Sequence, residues 1–304
     1  MDGTILSIAG VSKAYKEKKV LDNINLKIKK REIYGLVGNN GAGKTILMRI
    51  IAGLVSSYDG EVTQSNNDKI GFLIEEPSIV PFLTPYENLY LQSKIKGVDS
   101  KDIDDILELI GLKDCNKIAK KLSLGMKQRL GIGIALVGKP SIVILDEPIN
   151  GLDPQGIIDI RKLINNLNSN EGITFVISSH NLEELYQVAT RYIFINNGKI
   201  KEEITLDALK NKLEQCVLIK VDGINQKKYE DILTLFEHSH IELKKVKLDD
   251  GYIKIYSQNA DLGLLSELLY KNGYIITHIS MKEDNLEQYF LGKVGDSDDG
   301  ITKN

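Results

Sequence analysis

Cys115 and Cys216 are the only thiols in this 304-residue chain, and they stand in unrelated segments. That spacing excludes a zinc ribbon and the count excludes a disulfide scaffold, so both are expected to be reduced and structural. Only 6 prolines occur, too few for a collagen-like or proline-rich chain. Long apolar runs are missing too. The longest uncharged stretches, Ile33 to Gly43 among them, fall well short of the ~18 apolar residues that a bilayer-crossing helix needs. No basic segment followed by an apolar signal core opens the sequence, which leaves the cytoplasm as the expected compartment. Nor is there an excess of basic charge: 39 Lys and Arg face 42 Asp and Glu, a formal −3. Without an overall field to attract a phosphate backbone, bulk nucleic-acid binding is not expected.

What is present suits a folded, water-soluble chain, 42% hydrophobic and 27% charged, long enough for two cores. Residues 1–204 alternate short apolar runs with longer helical stretches, as an α/β domain does. Ile142 to Leu145 and Thr174 to Ile177 lack polar alternation, which predicts central parallel strands covered on both faces. The C-terminal ends of such strands carry the site. Between about residues 76 and 140 apolar positions recur at helical spacing without a clear strand, predicting a helical insertion. Residues 205–216 read as a connecting helix, drawn from Thr205 to Gln215. Residues 217–293 give strand, helix, strand, strand, helix, strand, the ferredoxin-like split βαβ order, with a last short helix from Asn285 to Gly292. The polar tail, 294–304, is expected to be disordered.

Gly38, Asn39, Asn40, Gly41, Ala42, Gly43, Lys44 and Thr45 fit G-x-x-x-x-G-K-[ST], after the apolar IYGLV and before the amphipathic ILMRIIAGL. Glycines let the backbone curl so that successive N–H groups face inward at a helix N-terminus, where a polyphosphate can sit. In such a loop Lys44 reaches the β- and γ-phosphates and Thr45 ligates Mg²⁺. A second landmark is Asp146-Glu147 at the end of the apolar Ile142 to Leu145. One carboxylate there supports the metal and the next faces the attacking water, which makes Asp146 the metal partner and Glu147 the candidate base.

With these motifs on one chain, the first two hundred residues resemble the nucleotide-binding subunit of an ATP-binding cassette (ABC) transporter. Leu122-Ser123-Leu124-Gly125 is similar to the family signature, LSxGQ in its usual form, at the start of the helical MKQRLGIGIALV. The resemblance implies a P-loop NTPase fold with a helical subdomain, ATP and Mg²⁺ as ligands, and two subunits meeting head to tail. Ser123 and Gly125 of one would then cap the γ-phosphate held by the other. Asp153, in Gly151-Leu152-Asp153, resembles the loop that crosses that interface. His180, ending TFVISSH, resembles the switch histidine that contacts the γ-phosphate and orients water. Tyr15 resembles the aromatic that stacks on adenine.

Two departures stand out. Glu75 occupies the place where the family usually has glutamine, and Met126 replaces the signature glutamine. A carboxylate at 75 strengthens Mg²⁺ coordination if it faces the metal and repels if it faces the γ-phosphate. At ~4 Å and an effective dielectric of ~20 either effect is ~4 kcal/mol in gross Coulomb energy. Both departures, with the C-terminal domain, resemble the bacitracin-resistance and lantibiotic-immunity exporters. The implied function is an ATPase subunit that pairs with itself or a related chain and drives separate membrane permease subunits. It would lie peripherally on the inner face of the membrane, and the cargo would be a peptide antibiotic. Pro77 to Asn88 would offer the permease its docking surface. Three alternatives remain: an exporter of another substrate class, an ATPase of the same superfamily acting on ribosomes, and an ATP-binding module that does not hydrolyse. The ribosomal alternative usually carries two cassettes and a basic linker, whereas this chain has one cradle. The non-hydrolysing module is at odds with Glu147.

Overall fold

The computed structural model describes residues 3–16, 18–65, 68–180, 182–213, 215–239, 245–256, 261–283 and 286–294. They fall into two units, one of Met1–Leu206 together with the segment from Phe290, the other of Asp207–Tyr289.

The first unit opens with β1 (Thr4–Tyr15), β2 (Lys18–Lys29), β3 (Ile33–Val37), α1 (Lys44–Ile51), β4 (Asp59–Gln64) and β5 (Ile70–Leu73). Three helices follow, α2 (Pro85–Lys96), α3 (Ile103–Leu109) and α4 (Leu124–Leu136). Then come β6 (Ile142–Asp146), α5 (Pro154–Ser169), β7 (Thr174–Ser178), α6 (Leu182–Tyr186), β8 (Arg191–Asn196) and β9 (Lys199–Thr205). Two sheets result. β1 lies between β2 and β4 in a three-stranded antiparallel sheet. A six-stranded sheet has the order β5-β6-β7-β3-β8-β9, parallel except for the β8-β9 pair.

Every residue of β3, β6 and β7 is buried, which explains why these strands are apolar throughout rather than alternating. One core joins Leu21, Ile24 and Ile28 of β2 to Leu47 and Met48 of α1 and to Ile144 and Val176 of the large sheet. Helix starts are fixed locally. Thr84 and Glu87 form a reciprocal capping box on α2, with Pro85 in its first turn, and Asp153 caps α5 by accepting from the Gly156 N–H. Functionally, the strand order matters most. With β6, β7 and β3 adjacent and parallel, the chain leaves the sheet at 38, 147 and 179 along a single edge.

The second unit contains α7 (Leu206–Lys212), β10 (Gln215–Val221), α8 (Gln226–Glu237), β11 (Lys245–Asp249), β12 (Tyr252–Tyr256), α9 (Leu262–Lys271) and β13 (Ile276–Glu283), and α10 (Leu286–Val294) begins there. Its antiparallel sheet has the order β11-β12-β10-β13, the split βαβ arrangement. Val217, Ile219, Ile253 and Ile255 of the sheet pack with Ile232, Phe236, Leu265 and Leu269 of α8 and α9. The connecting helix is shorter than the sequence pattern suggests. Thr205 pairs with Arg191 and closes β9, while Gln215 and Cys216 pair with Glu283 and Lys282 in β10. Sheet pairing wins over local helical character at both ends. Residues 295–304 of the polar tail, Asn285 and the 241–244 part of the second strand expected in the C-terminal domain lie outside the described residues. No helix among the described residues is long and apolar enough to cross a membrane.

Candidate functional site

The loop between β3 and α1 is shaped by its glycines. Gly41 and Gly43 have φ +80° and +106°, in the left-handed region that side chains avoid. A Cβ on Gly43 would lie 2.8 Å from a Leu21 methyl and 2.9 Å from the Val20 carbonyl oxygen, and one on Gly38 would collide with the Ile195 carbonyl. The backbone is therefore pressed between β2 and β8. Lys44 is buried, and its ammonium donates to the carbonyl oxygens of Gly38 (2.6 Å) and Asn39 (3.2 Å). Burial pushes its pKa below the ordinary lysine value, an effect opposed by the charges of Glu147 and Asp146.

Asp146 closes β6, and one of its oxygens accepts from the Thr45 hydroxyl at 2.9 Å. The other accepts from the Ser178 hydroxyl at the end of β7. Ser178 also receives the Glu147 N–H, on its hydroxyl at 3.0 Å and its carbonyl at 3.2 Å. Glu147 needs that support because its φ is +49°, a conformation that costs a non-glycine residue about 1–2 kcal/mol. Its carboxylate then meets His180, whose Nδ1 lies 2.6 Å from Oε2 while its N–H donates to the same oxygen at 3.3 Å. With Glu147 ionised, that contact assigns the ring proton to Nδ1. Lys44, Thr45, Asp146, Glu147 and His180 thus converge from three strand ends. Thr45 and Asp146 supply hard oxygen donors already in mutual contact, a set that fits Mg²⁺, which takes one or two protein oxygens and completes its shell with water and phosphate.

The remaining candidates lie elsewhere. Tyr15, at the end of β1, is 46% exposed and has the Lys13 ammonium 4.9 Å from its ring centre, so the ring is accessible for stacking. Ser123 caps α4 through the Met126 N–H at 3.3 Å, and with Gly125, Met126, Gly151, Leu152 and Asp153 it lines a separate cavity of about 430 Å³. Glu75 has φ +64° and pairs with Arg49 of α1, not with the Thr45–Asp146 cluster. It also borders a cavity of about 680 Å³ that is shared with Lys120, Lys127, Gln128, Asp146 and Glu147.

Three contributors escaped the sequence patterns. Ser178 sets both acids through one hydroxyl, and an S at a strand end carries no motif. Gly198, in the β8–β9 turn, donates to the Ala42 carbonyl (3.0 Å) and accepts from the Asp22 N–H (2.8 Å), bracing the loop from behind. Arg49 reaches Glu75 across a chain separation of 26 residues, so only the fold brings them together.

A family model described as ABC transporter matches residues 21–150. The bacitracin transport ATP-binding protein BcrA of Bacillus licheniformis is 37% identical over 304 residues, covering 96% of this chain and 98% of that protein. The lantibiotic transport ATP-binding protein SrtF of Streptococcus pyogenes is 41% identical over 215 residues, 68% of this chain and 93% of that protein. Among solved structures, the dimeric post-hydrolysis state of the ATP-binding cassette MJ0796 bound to ADP and Pi aligns with a TM-score of 0.60 and 29% identity, over 66% of this chain and 99% of that one. A glycine-rich G-x-x-x-x-G-K-T loop, a strand-end acid pair and a histidine assembled on such a sheet agree with all of these. The chain belongs to the ATP-binding proteins of ABC transporters and is an ATPase of that family.

Proposed function

We propose that this ATPase powers the export of peptide antibiotics, of the bacitracin or lantibiotic class, through separate membrane permease subunits. The observation that carries the substrate class is the match to a bacitracin transport ATP-binding protein over 96% of this chain, both units included. Glu75 and Met126 point the same way. The dimeric state named for the MJ0796 cassette supports pairing of two nucleotide-binding subunits.

In this reading the triphosphate lies on the amides of residues 38–45, with Lys44 turning from the loop carbonyls to its β- and γ-phosphates. Thr45 and Asp146 would hold Mg²⁺, which neutralises charge on the phosphate oxygens. Glu147 accepts a proton from water as the water oxygen bonds to the γ-phosphorus and the bond to the β-γ bridging oxygen breaks, releasing ADP and phosphate. His180 fixes that carboxylate and contacts the γ-phosphate. Ser123 and Gly125 of the second subunit seal the site from the N-terminus of α4, where N–H groups favour an anion. Asp153 lies beside them at that interface, and Tyr15 stacks on the adenine. Phe82, 71% exposed, and Tyr86, 46% exposed, support permease docking on the start of α2 and the segment before it, at the inner face of the membrane.

Bacteria carrying the chain with its permease should survive bacitracin or a lantibiotic better than bacteria carrying the Glu147→Gln form. Equal sensitivity to every peptide tried would refute the substrate class.

A further inference from the structure

Thr45 and Arg49 are four residues apart on α1 and so share one face of the helix, about 6 Å apart along its axis. Thr45 contacts Asp146, and Arg49 contacts Glu75 through Nη2 and Oε1. The acid of the loop after β5 is thereby drawn one helical turn below the pair that faces the nucleotide. We infer that Arg49 is a positioning residue for the nucleotide site: it holds and neutralises Glu75, so that a carboxylate where an amide is usual does not repel the incoming triphosphate.

Stability does not explain the pair. The side chains are 33% and 62% exposed, and ion pairs at that exposure add little to folding. Glu75, however, sits in left-handed backbone at φ +64°, a strained conformation for a non-glycine residue of the kind that clusters at functional sites. It borders the same cavity as Asp146 and Glu147. An unpaired carboxylate there adds negative charge beside Asp146 and Glu147, next to the proposed seat of the triphosphate, whereas a guanidinium–carboxylate pair, here joined through the Nη2–Oε1 contact, is neutral. This inference rests on the proposed seat of the triphosphate on residues 38–45.

The test is equilibrium binding of ATP to the full-length chain in EDTA, where neither turnover nor metal coordination intervenes. It compares wild type, Arg49→Met, Glu75→Gln and the double variant. Arg49→Met should weaken binding about five-fold with Glu75 present, near the ceiling for a partly exposed charge, and should have little effect with Gln at 75. The five-fold loss should shrink in high salt. Arg49→Lys, which keeps the charge on a compact ammonium in place of the guanidinium, should fall between wild type and Arg49→Met, and it serves if Arg49→Met does not fold. Equal losses in both backgrounds would make Arg49 a structural residue and overturn the inference, as would no loss from either Arg49 variant beside Glu75. Failure of the wild-type chain itself to bind ATP would instead refute the seat of the triphosphate.

Discussion

Replacing Gly198 by alanine separates a glycine needed for space from one needed only for its backbone angle. Gly198 has φ +70°, and a Cβ there would lie 2.8 Å from the Val20 carbonyl carbon and 3.0 Å from the Leu21 Cα. Neither neighbour is the end of a flexible side chain, so backbone must move. The left-handed conformation costs alanine about 1–2 kcal/mol and overpacking adds about 1–3 kcal/mol, for a total of about 2–5 kcal/mol. Gly97 caps α2 at φ +63° with nothing within 4 Å of its Cβ position, so Gly97→Ala bears only the first cost. At about 2–4 °C per kcal/mol for a unit of this size, Gly97→Ala should melt a few degrees early and Gly198→Ala about one and a half to four times as far below wild type. The two should also differ in function. Gly198 donates to the Ala42 carbonyl within the phosphate loop, so displacement of β2 or of the turn should weaken ATP binding by about ten-fold or more, whereas Gly97→Ala should leave it unchanged. Circular dichroism melts without nucleotide and ATP titrations measure both. Equal melting losses, or Gly198→Ala with wild-type ATP affinity, would refute the bracing role.

Other consequences follow from the same geometry. Tyr15→Ala should lose about 1–3 kcal/mol of nucleotide binding while Tyr15→Phe loses little, because a stacking ring needs no hydroxyl; equal losses in a fluorescent-ATP displacement assay would move the base elsewhere. Burial lowers the Lys44 pKa, and a bound polyanion raises it, so ATP binding takes up a proton at alkaline pH. Affinity should therefore fall as pH rises through the free-site pKa, by up to about ten-fold per unit, and a flat alkaline profile in the folded protein would count against Lys44 as phosphate ligand. Phe82→Asp should abolish co-purification with the permease while sparing nucleotide binding, and retained co-purification would place docking away from the segment before α2.

Legibility in the sequence followed contact range. The glycine-rich loop of residues 38–45 is legible because eight consecutive residues carry both its backbone requirements and its chemistry. The acid pair was readable because a fully buried parallel strand has no polar alternation, and its first two charges mark its end. The three-stranded sheet of β1, β2 and β4 was not separated from the α/β pattern, since Leu6 pairs with Gln64 and Ser7 with Thr63 across more than fifty residues. Ser178 and Arg49 were invisible for the same reason. Their roles exist only once β7 lies beside β6 and the loop after β5 approaches α1. Glu75 is legible as a departure, but whether it strengthens or weakens nucleotide binding depends on a partner, Arg49, that spacing does not reveal. The connecting helix was overextended because Thr205 and Gln215 belong to strands whose partners are distant in the chain.

At the centre of the account is a triphosphate held by the loop of one subunit and sealed by the Ser123 helix of another. Light scattering of Glu147→Gln at saturating ATP tests it most directly. Blocking hydrolysis should trap the closed pair, so the mass should double from 33.9 kDa, and adding Ser123→Arg should return it to a single chain with ATP still bound. A single-chain mass for ATP-bound Glu147→Gln, or a dimer indifferent to Ser123→Arg, would contradict the account.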